Sequence, residues 1–310
     1  MDQNTLTDGG WTLGDKRTEN LLKKLQSVGT PLEEYVMGQI YYGIKTGLNK
    51  AFVIDERTKN KLIEEDPKSL EIIKPFVIGR DIKRYQKPDN DGKYLIFTYH
   101  GIEIQKYPAI LNYLKQFKNE LMPKPSGWVG DDWNGRKPGK YEWYEIQDTI
   151  DYYAEFEKPK IIIPAIVKRA SYAFDKNYNY SNDKTTIIPK NDFYLLGILN
   201  SKISDFVIFS IASTKQGGYY EYKPMYVSKL PIYTIDFDNP DDKTRHDRMV
   251  TLVTEMLELH KHLSHAKTDQ EKRLITQEIE STDRQIDSLV YGIYGLTADE
   301  IAVVEECVSK

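Results

Sequence analysis

Apolar residues recur along the first sixty positions with two different periods. Leu21, Leu22, Leu25 and Val28 fall at helical spacing before Gly29, which predicts a helix over 16–28. Thr30-Pro31-Leu32-Glu33 then reads as a second helix start: Thr30 as cap, Pro31 at the first helical position and Glu33 completing a capping box. From Gln39 the period shortens, and the runs 40–42 and 51–54 are expected as strands around a turn that carries Gly43 and Gly47. KYLIFTY at 93–99 is a further strand.

The pattern returns to helix over 107–121, where Ile110, Leu111, Leu114, Phe117 and Leu121 form one stripe behind Tyr107-Pro108. Residues 123–144 hold three prolines, four glycines and three of the four tryptophans, so they form a long loop of the kind that more often carries function than not. Strands are predicted at 160–166 and 170–174, a helical stretch at 192–211 and a glycine-hinged aromatic loop, KQGGYYEY, at 215–222. Pro231 and Pro240 mark a boundary. Beyond it, Met249, Leu252, Val253, Met256, His260 and Leu263 make one helical stripe, and Ile275, Ile279, Thr282, Ile286 and Leu289 make another, joined by the polar linker SHAKTDQ. Two amphipathic helices so joined form an antiparallel hairpin. Thr297-Ala298-Asp299-Glu300 is a capping box for a last helix. The expected fold is α+β, a mixed β-sheet body over 1–236 with peripheral helices, followed by a helical hairpin and docking tail over 237–310.

Charge sharpens that division. The 310 residues carry a net −4, which lacks the strongly basic signature of a simple nucleic-acid binder. The acidity is in the tail: 237–310 holds 16 acidic and 9 basic residues, a net −7, which leaves 1–236 at +3. Within the body, 158–229 has 11 lysines and arginines against five carboxylates, a net +6, and a face of that sign attracts phosphate. The single cysteine, Cys307, excludes a disulfide framework and any cysteine-based zinc site, and fits a reducing, cytoplasmic setting. No apolar run reaches the ~18 residues of a membrane helix, and the amino terminus has no signal pattern.

Catalytic chemistry is hard to find. Neither phosphate-cradling glycine motif is present, which argues against nucleotide hydrolysis. Asp89 and Asp91 sit two residues apart before KYLIFTY and read as a polar turn rather than a nuclease pair; Pro240-Asp241-Asp242-Lys243 reads the same way. On a helix, His260 and His262 point about 200° apart, so only His262 with His265 or His260 with His265 could converge on a metal, and no pair of carboxylates completes the set. No catalytic, cofactor or metal residue is therefore expected in this chain.

Cationic loops are more informative. Arg80, Lys83 and Arg84 follow the apolar run PFVIG; Lys45, Thr46 and Asn49 lie on the Gly43/Gly47 turn; Lys215, Tyr219 and Tyr220 share the hinge loop, with Lys223 just beyond. Arginine can grip phosphate or guanine with two bonds, lysine neutralises phosphate, and tyrosine can stack on bases. Each segment also has a plainer reading, as a solvated turn, a hairpin connection or a loop ordered by its own tyrosines.

The same residues carry a family resemblance. YYGIKTGLNKAFVID, PFVIGRDIKRY, WYEI with FEKPKIIIPAI, and YLLGILNSKISDFVIF with GGYYEYKPMYVSKLPI resemble, in this order, the TaqI-like C-terminal specificity domain. That domain is the target-recognition part of adenine-specific DNA methyltransferases and of fused type IIG restriction-modification enzymes. IDSLVYGIYGLTADEIAVVEE is similar to the end of many such enzymes and of type I specificity subunits, so the resemblance spans about 11–306. It implies a module that contacts the major groove of double-stranded DNA and selects the sequence, while a methyltransferase domain or subunit flips the adenine and transfers methyl from S-adenosylmethionine. The family's Asn-Pro-Pro-Tyr/Phe motif and its glycine-rich cofactor motif do not occur in this sequence.

The expected DNA contacts are Lys45, Thr46, Asn49, Arg80, Lys83 and Arg84 from a first set of loops, and Arg169, Lys215, Tyr219, Tyr220 and Lys223 from a second. Arg136, Lys137 and Lys140 of the tryptophan-rich loop reach from a mobile frame. The competing expectation is a protein-interaction scaffold whose tail hairpin docks a partner and whose loops bind no DNA.

Overall fold

The computed structural model describes residues 16–130 and 132–309. The chain opens with α1 (Lys16–Val28), β1 (Thr30–Pro31) and α2 (Leu32–Tyr35), then β2 (Tyr41–Tyr42), α3 (Asn49–Phe52), β3 (Val53–Asp55) and α4 (Glu56–Glu65). β4 (Ile73–Val77), β5 (Lys93–Ile96), α5 (Pro108–Lys115) and α6 (Lys118–Leu121) precede the long loop. After it come β6 (Lys160–Pro164), β7 (Ile166–Val167), β8 (Ala173–Asp175), β9 (Tyr180–Ser181), β10 (Thr185–Ile188), α7 (Phe193–Leu199) and α8 (Lys202–Ile211). β11 (Thr214–Lys215), β12 (Tyr219–Glu221), α9 (Pro224–Val227) and β13 (Pro231–Ile232) lead to α10 (Pro240–His265), α11 (Asp269–Ile293) and α12 (Ala298–Val308). The class is α+β.

A central sheet ordered β2-β10-β6-β8 separates two hydrophobic cores. Side chains alternate across a strand, and all five residues of β6 are buried: Ile161 and Ile163 enter one core, Ile162 the other. β10 divides likewise, Ile188 to the first and Ile187 to the second. The first core is mainly helical. It joins Leu195, Leu196 and Phe206 of α7 and α8 with Met249 and Val253 of α10, Ile286 and Val290 of α11, and Val304 of α12. The second packs the sheet β3-β5-β4-β9 against Ile110 and Leu114 of α5. The tail helices thus share one core with α7 and α8 rather than packing only on each other.

Several local expectations are corrected. Thr30 does not cap a helix: β1 pairs with β13, its hydroxyl meets that of Thr234, and the first amides of α2 are taken by the carbonyls of Leu230 and Ser228. The run 51–54 is split between the end of α3 and β3, because Thr46 starts a turn that winds straight into α3. The helix expected over 107–121 breaks after Lys115, and that over 192–211 breaks at Asn200-Ser201. At 297–300 both hydrogen bonds of the capping box are present. No single helix among the described residues is long and apolar enough to cross a membrane.

Candidate nucleic-acid interface

The turn Asn182-Asp183-Lys184 between β9 and β10 stitches three parts of the chain into one edge. Ile44 bridges Asn182, and its carbonyl accepts the Asp183 amide at 3.0 Å. The Asn182 amide donates to Val77 O, and the Asn182 side chain accepts the Gly79 amide at 3.1 Å. On the far side Lys184 O accepts the Ala165 amide at 2.9 Å, and β7, which follows, pairs with β12. Gly79 is required there, because a Cβ at that position would lie 2.6 Å from Lys184 O. The Lys45 turn, the Arg80 turn and the Tyr219 hairpin are therefore neighbours on a single rim, although 170 residues of sequence separate the first from the last.

The cations along this rim differ in how far they are spent. Arg80 is 78% exposed, with only a loose 3.7 Å approach to Asp81. Lys83 is exposed and Lys45 half-buried, and neither side chain makes a hydrogen bond or ion pair among the described residues. Lys184 is exposed beside Asp183 at 3.2 Å. Lys168 lies over the Tyr219 ring at 5.4 Å. Lys215 and Lys223 both reach Glu221, at 2.9 and 2.8 Å, and together hold its carboxyl below the usual range, chiefly through the Lys223 hydrogen bond. Tyr219 is exposed, whereas Tyr220 stacks on Phe209 at 4.0 Å.

Other expected contact residues are turned to structural use. Thr46 is 1% exposed; its hydroxyl donates to Asn49 Oδ1 at 2.7 Å and accepts the Leu48 amide, so it brackets the turn instead of facing a ligand. Arg84 lies in the seam between the body and the tail, with two hydrogen bonds to Asp283 and two to Asn200 O. Arg169 is exposed but donates to Val308 O, a free carbonyl at the end of α12.

Arg136 is the largest correction. It is buried, and its guanidinium donates to five backbone carbonyls: Leu121, Thr46, Glu145, Glu142 and Trp143, at 2.6 to 3.3 Å. Burial pushes its pKa down to about 10, which leaves it protonated at pH 7. Arg136 therefore joins the base of the long loop to the Lys45 turn instead of reaching outward. Lys137 and Lys140 remain exposed on it.

Lys168 and Lys184 were not singled out from the sequence beyond their share in the +6 segment. The signal was available at 184, where Asn182-Asp183 between two strand-like runs is a turn that would display the next side chain. Among the described residues no three or more His, Cys, Asp or Glu side chains converge as a metal site.

A family model described as the TaqI-like C-terminal specificity domain matches residues 74–232, from the second residue of β4 to the end of β13. The type II methyltransferase M.BstVI of Geobacillus stearothermophilus is 21% identical over 307 residues, covering 96% of this chain and 46% of that protein. The type II restriction enzyme and methyltransferase RM.Eco57I of Escherichia coli is 23% identical over 343 residues, covering 97% of this chain and 33% of that protein. Among solved structures, the type IIL restriction-modification enzyme MmeI in complex with DNA superposes with a TM-score of 0.56 at 16% identity, over 87% of this chain and 35% of MmeI, a likeness of fold. The chain spans less than half the length of these curated relatives.

Proposed function

The chain belongs to the TaqI-like C-terminal specificity domain family, and from that premise we propose that it is the double-stranded DNA recognition module of a restriction-modification system. In this reading it directs adenine methylation, with or without cleavage, by a methyltransferase portion that these 310 residues do not span and that uses S-adenosylmethionine. The observation that carries the proposal is the continuous rim on which the 182–184 turn aligns Lys45, Arg80, Lys184 and Lys168 beside Tyr219. Neighbouring cations, of which Arg80, Lys168 and Lys184 are exposed and Lys45 half-buried, suit a phosphate backbone, and phosphate contacts set register while one or two side chains discriminate bases by about 1–3 kcal/mol each.

The test is a mobility-shift titration with duplex DNA across a range of salt. Binding at micromolar protein or below in low salt is expected, weakening steeply as salt rises, and Arg80→Ala with Lys184→Ala should flatten the slope of log K against log salt by about 0.9 per lost contact. Absence of duplex binding at low salt would sink the proposal in favour of a scaffold.

A further inference from the structure

Phosphate binding does not explain the tip of the long loop. Gly127 and Gly130 adopt φ of +85° and +122°; the Trp128 amide closes a turn onto Pro125 O at 3.3 Å, and Trp128 and Val129 lie between the two glycines. Trp128 is 43% exposed and Val129 94%, the most exposed large apolar side chain among the described residues. The backbone and the tryptophans around Val129 are tied to the rest of the loop. Lys124 Nζ donates to Gly130 O at 3.1 Å, the Trp128 indole donates to Asp132 at 3.3 Å and packs edge-on against Trp133 at 5.1 Å, and the Trp133 indole donates to Arg136 O at 3.1 Å. Arg136 then ties the whole to five carbonyls of the body.

We propose that the loop tip at 127–130 is a wedge that enters duplex DNA, with Val129 inserted at a base step and Trp128 covering a base face exposed by the insertion. The inference rests on the DNA-recognition reading above and adds to it a distortion of the target. Apolar side chains inserted between base pairs unstack and kink a duplex, and one or two residues suffice. A protein partner of ordinary stability needs about 800 Å² of surface on each side, far more than a two-residue tip supplies. Exposed Asp132 beside the tip is occupied by the Trp128 indole, while Lys137 and Lys140 are exposed further along the loop, their side chains without a hydrogen bond or ion pair among the described residues, and would hold the phosphates that flank an opened step. The loop base adjoins the Lys45 turn through Thr46 O, which accepts from both Arg136 and the Gln147 amide, so the wedge continues the cationic rim. Arg136 acts here as a positioning residue.

The experiment uses the full chain and a duplex selected for binding to it from a random pool, with 2-aminopurine placed at successive positions. The wild-type chain should raise the fluorescence at one or two adjacent steps at least threefold. Val129→Ser combined with Trp128→Ser should still shift the duplex with an unchanged salt slope but abolish that rise, and Val129→Leu should keep it. Val129 is solvent-exposed and the hydrogen bond and ring contact of Trp128 lie within the loop, so a melting temperature within about 2 °C of wild type is expected for each variant. A bound duplex whose fluorescence stays flat at every position with the wild-type chain, or rises equally with the double variant, overturns the wedge while leaving DNA recognition intact. A wild-type chain that selects no duplex overturns the recognition reading itself, and the wedge with it. Loss of capture of a purified relative's methyltransferase portion by the double variant, with the fluorescence rise intact, would overturn the wedge in favour of a protein contact.

Discussion

Lys83 and Arg84 are consecutive in the chain and serve opposite regions of the molecule. Lys83 belongs to the rim, where cations are exposed and lightly paired; Arg84 belongs to the seam with the tail, where they are enclosed by Asp283, Asp287 and Glu305. The −7 tail and the positive body are thus not two separate fields. Part of the tail's negative charge is consumed by the body cations Arg84 and Lys202, and what the body has left over faces outward. A cation in the seam acts by satisfying buried partners, so removing it costs folding energy. A cation on the rim is solvated in the free protein, so removing it costs only what it does to a ligand.

The sharpest test of that difference is Arg136→Ala, which leaves five carbonyls at the loop base without their donor. An unfolding free energy lower by about 3–5 kcal/mol is expected in urea titrations, against no more than about 0.5 kcal/mol for Arg80→Ala. Equal effects of the two would erase the distinction. Arg84→Ala should come next, at about 2–3 kcal/mol, because it strands Asp283 in the seam, while changing DNA affinity in the remaining folded protein less than twofold.

A third measurement reads the seam through pH. Burial pushes Asp287 up to about 6, with nearby Asp283 adding to the shift and the Lys202 amide opposing it. A carboxyl raised above its unfolded value of about 3.9 is most compatible with the fold when protonated, so the contribution is complete below about pH 4 and is lost as pH rises through 6. Asp287→Asn removes this dependence. The variant should gain about 2 kcal/mol relative to wild type between pH 4 and pH 7.5, seen as converging or crossing thermal midpoints, and a constant difference across that range would contradict the assignment. The smallest expected effect is on the rim itself: Lys184→Ala should leave the thermal midpoint within about 2 °C of wild type.

Much of the architecture was legible from periodicity. The stripes of α1, α10 and α11 and the box at Thr297 are local, and local rules found them. The misreadings share a cause. Thr30 had the composition of a cap, but its amide neighbours were already satisfied by 228–230, a contact made from 200 residues away. Arg136 looked like a reaching side chain because it sits among glycines and prolines, and nothing in the sequence shows that five carbonyls from three stretches of the chain converge on it. Lys168 and Lys184 were hidden for the converse reason. Each is an ordinary lysine in an ordinary turn, and only the pairing of β6, β7, β10 and β12 puts them on the same rim as Arg80. Burial is a collective outcome, so the sequence marks which residues carry charge more readily than which of them keep it available.

The close approach of Gly79 to Lys184 decides how this module could be recombined. A hybrid that takes residues 158–229 from a relative brings its own version of the 182–184 turn, and that turn must still donate to the carbonyls of Ile44 and Val77 while leaving the space against residue 79 empty. Any side chain at 79 would collide with the incoming carbonyl at 2.6 Å. The exchangeable unit is therefore a pair of separated stretches, one around 44–84 and one around 158–223, and grafts that move either stretch alone should yield misassembled protein rather than altered specificity.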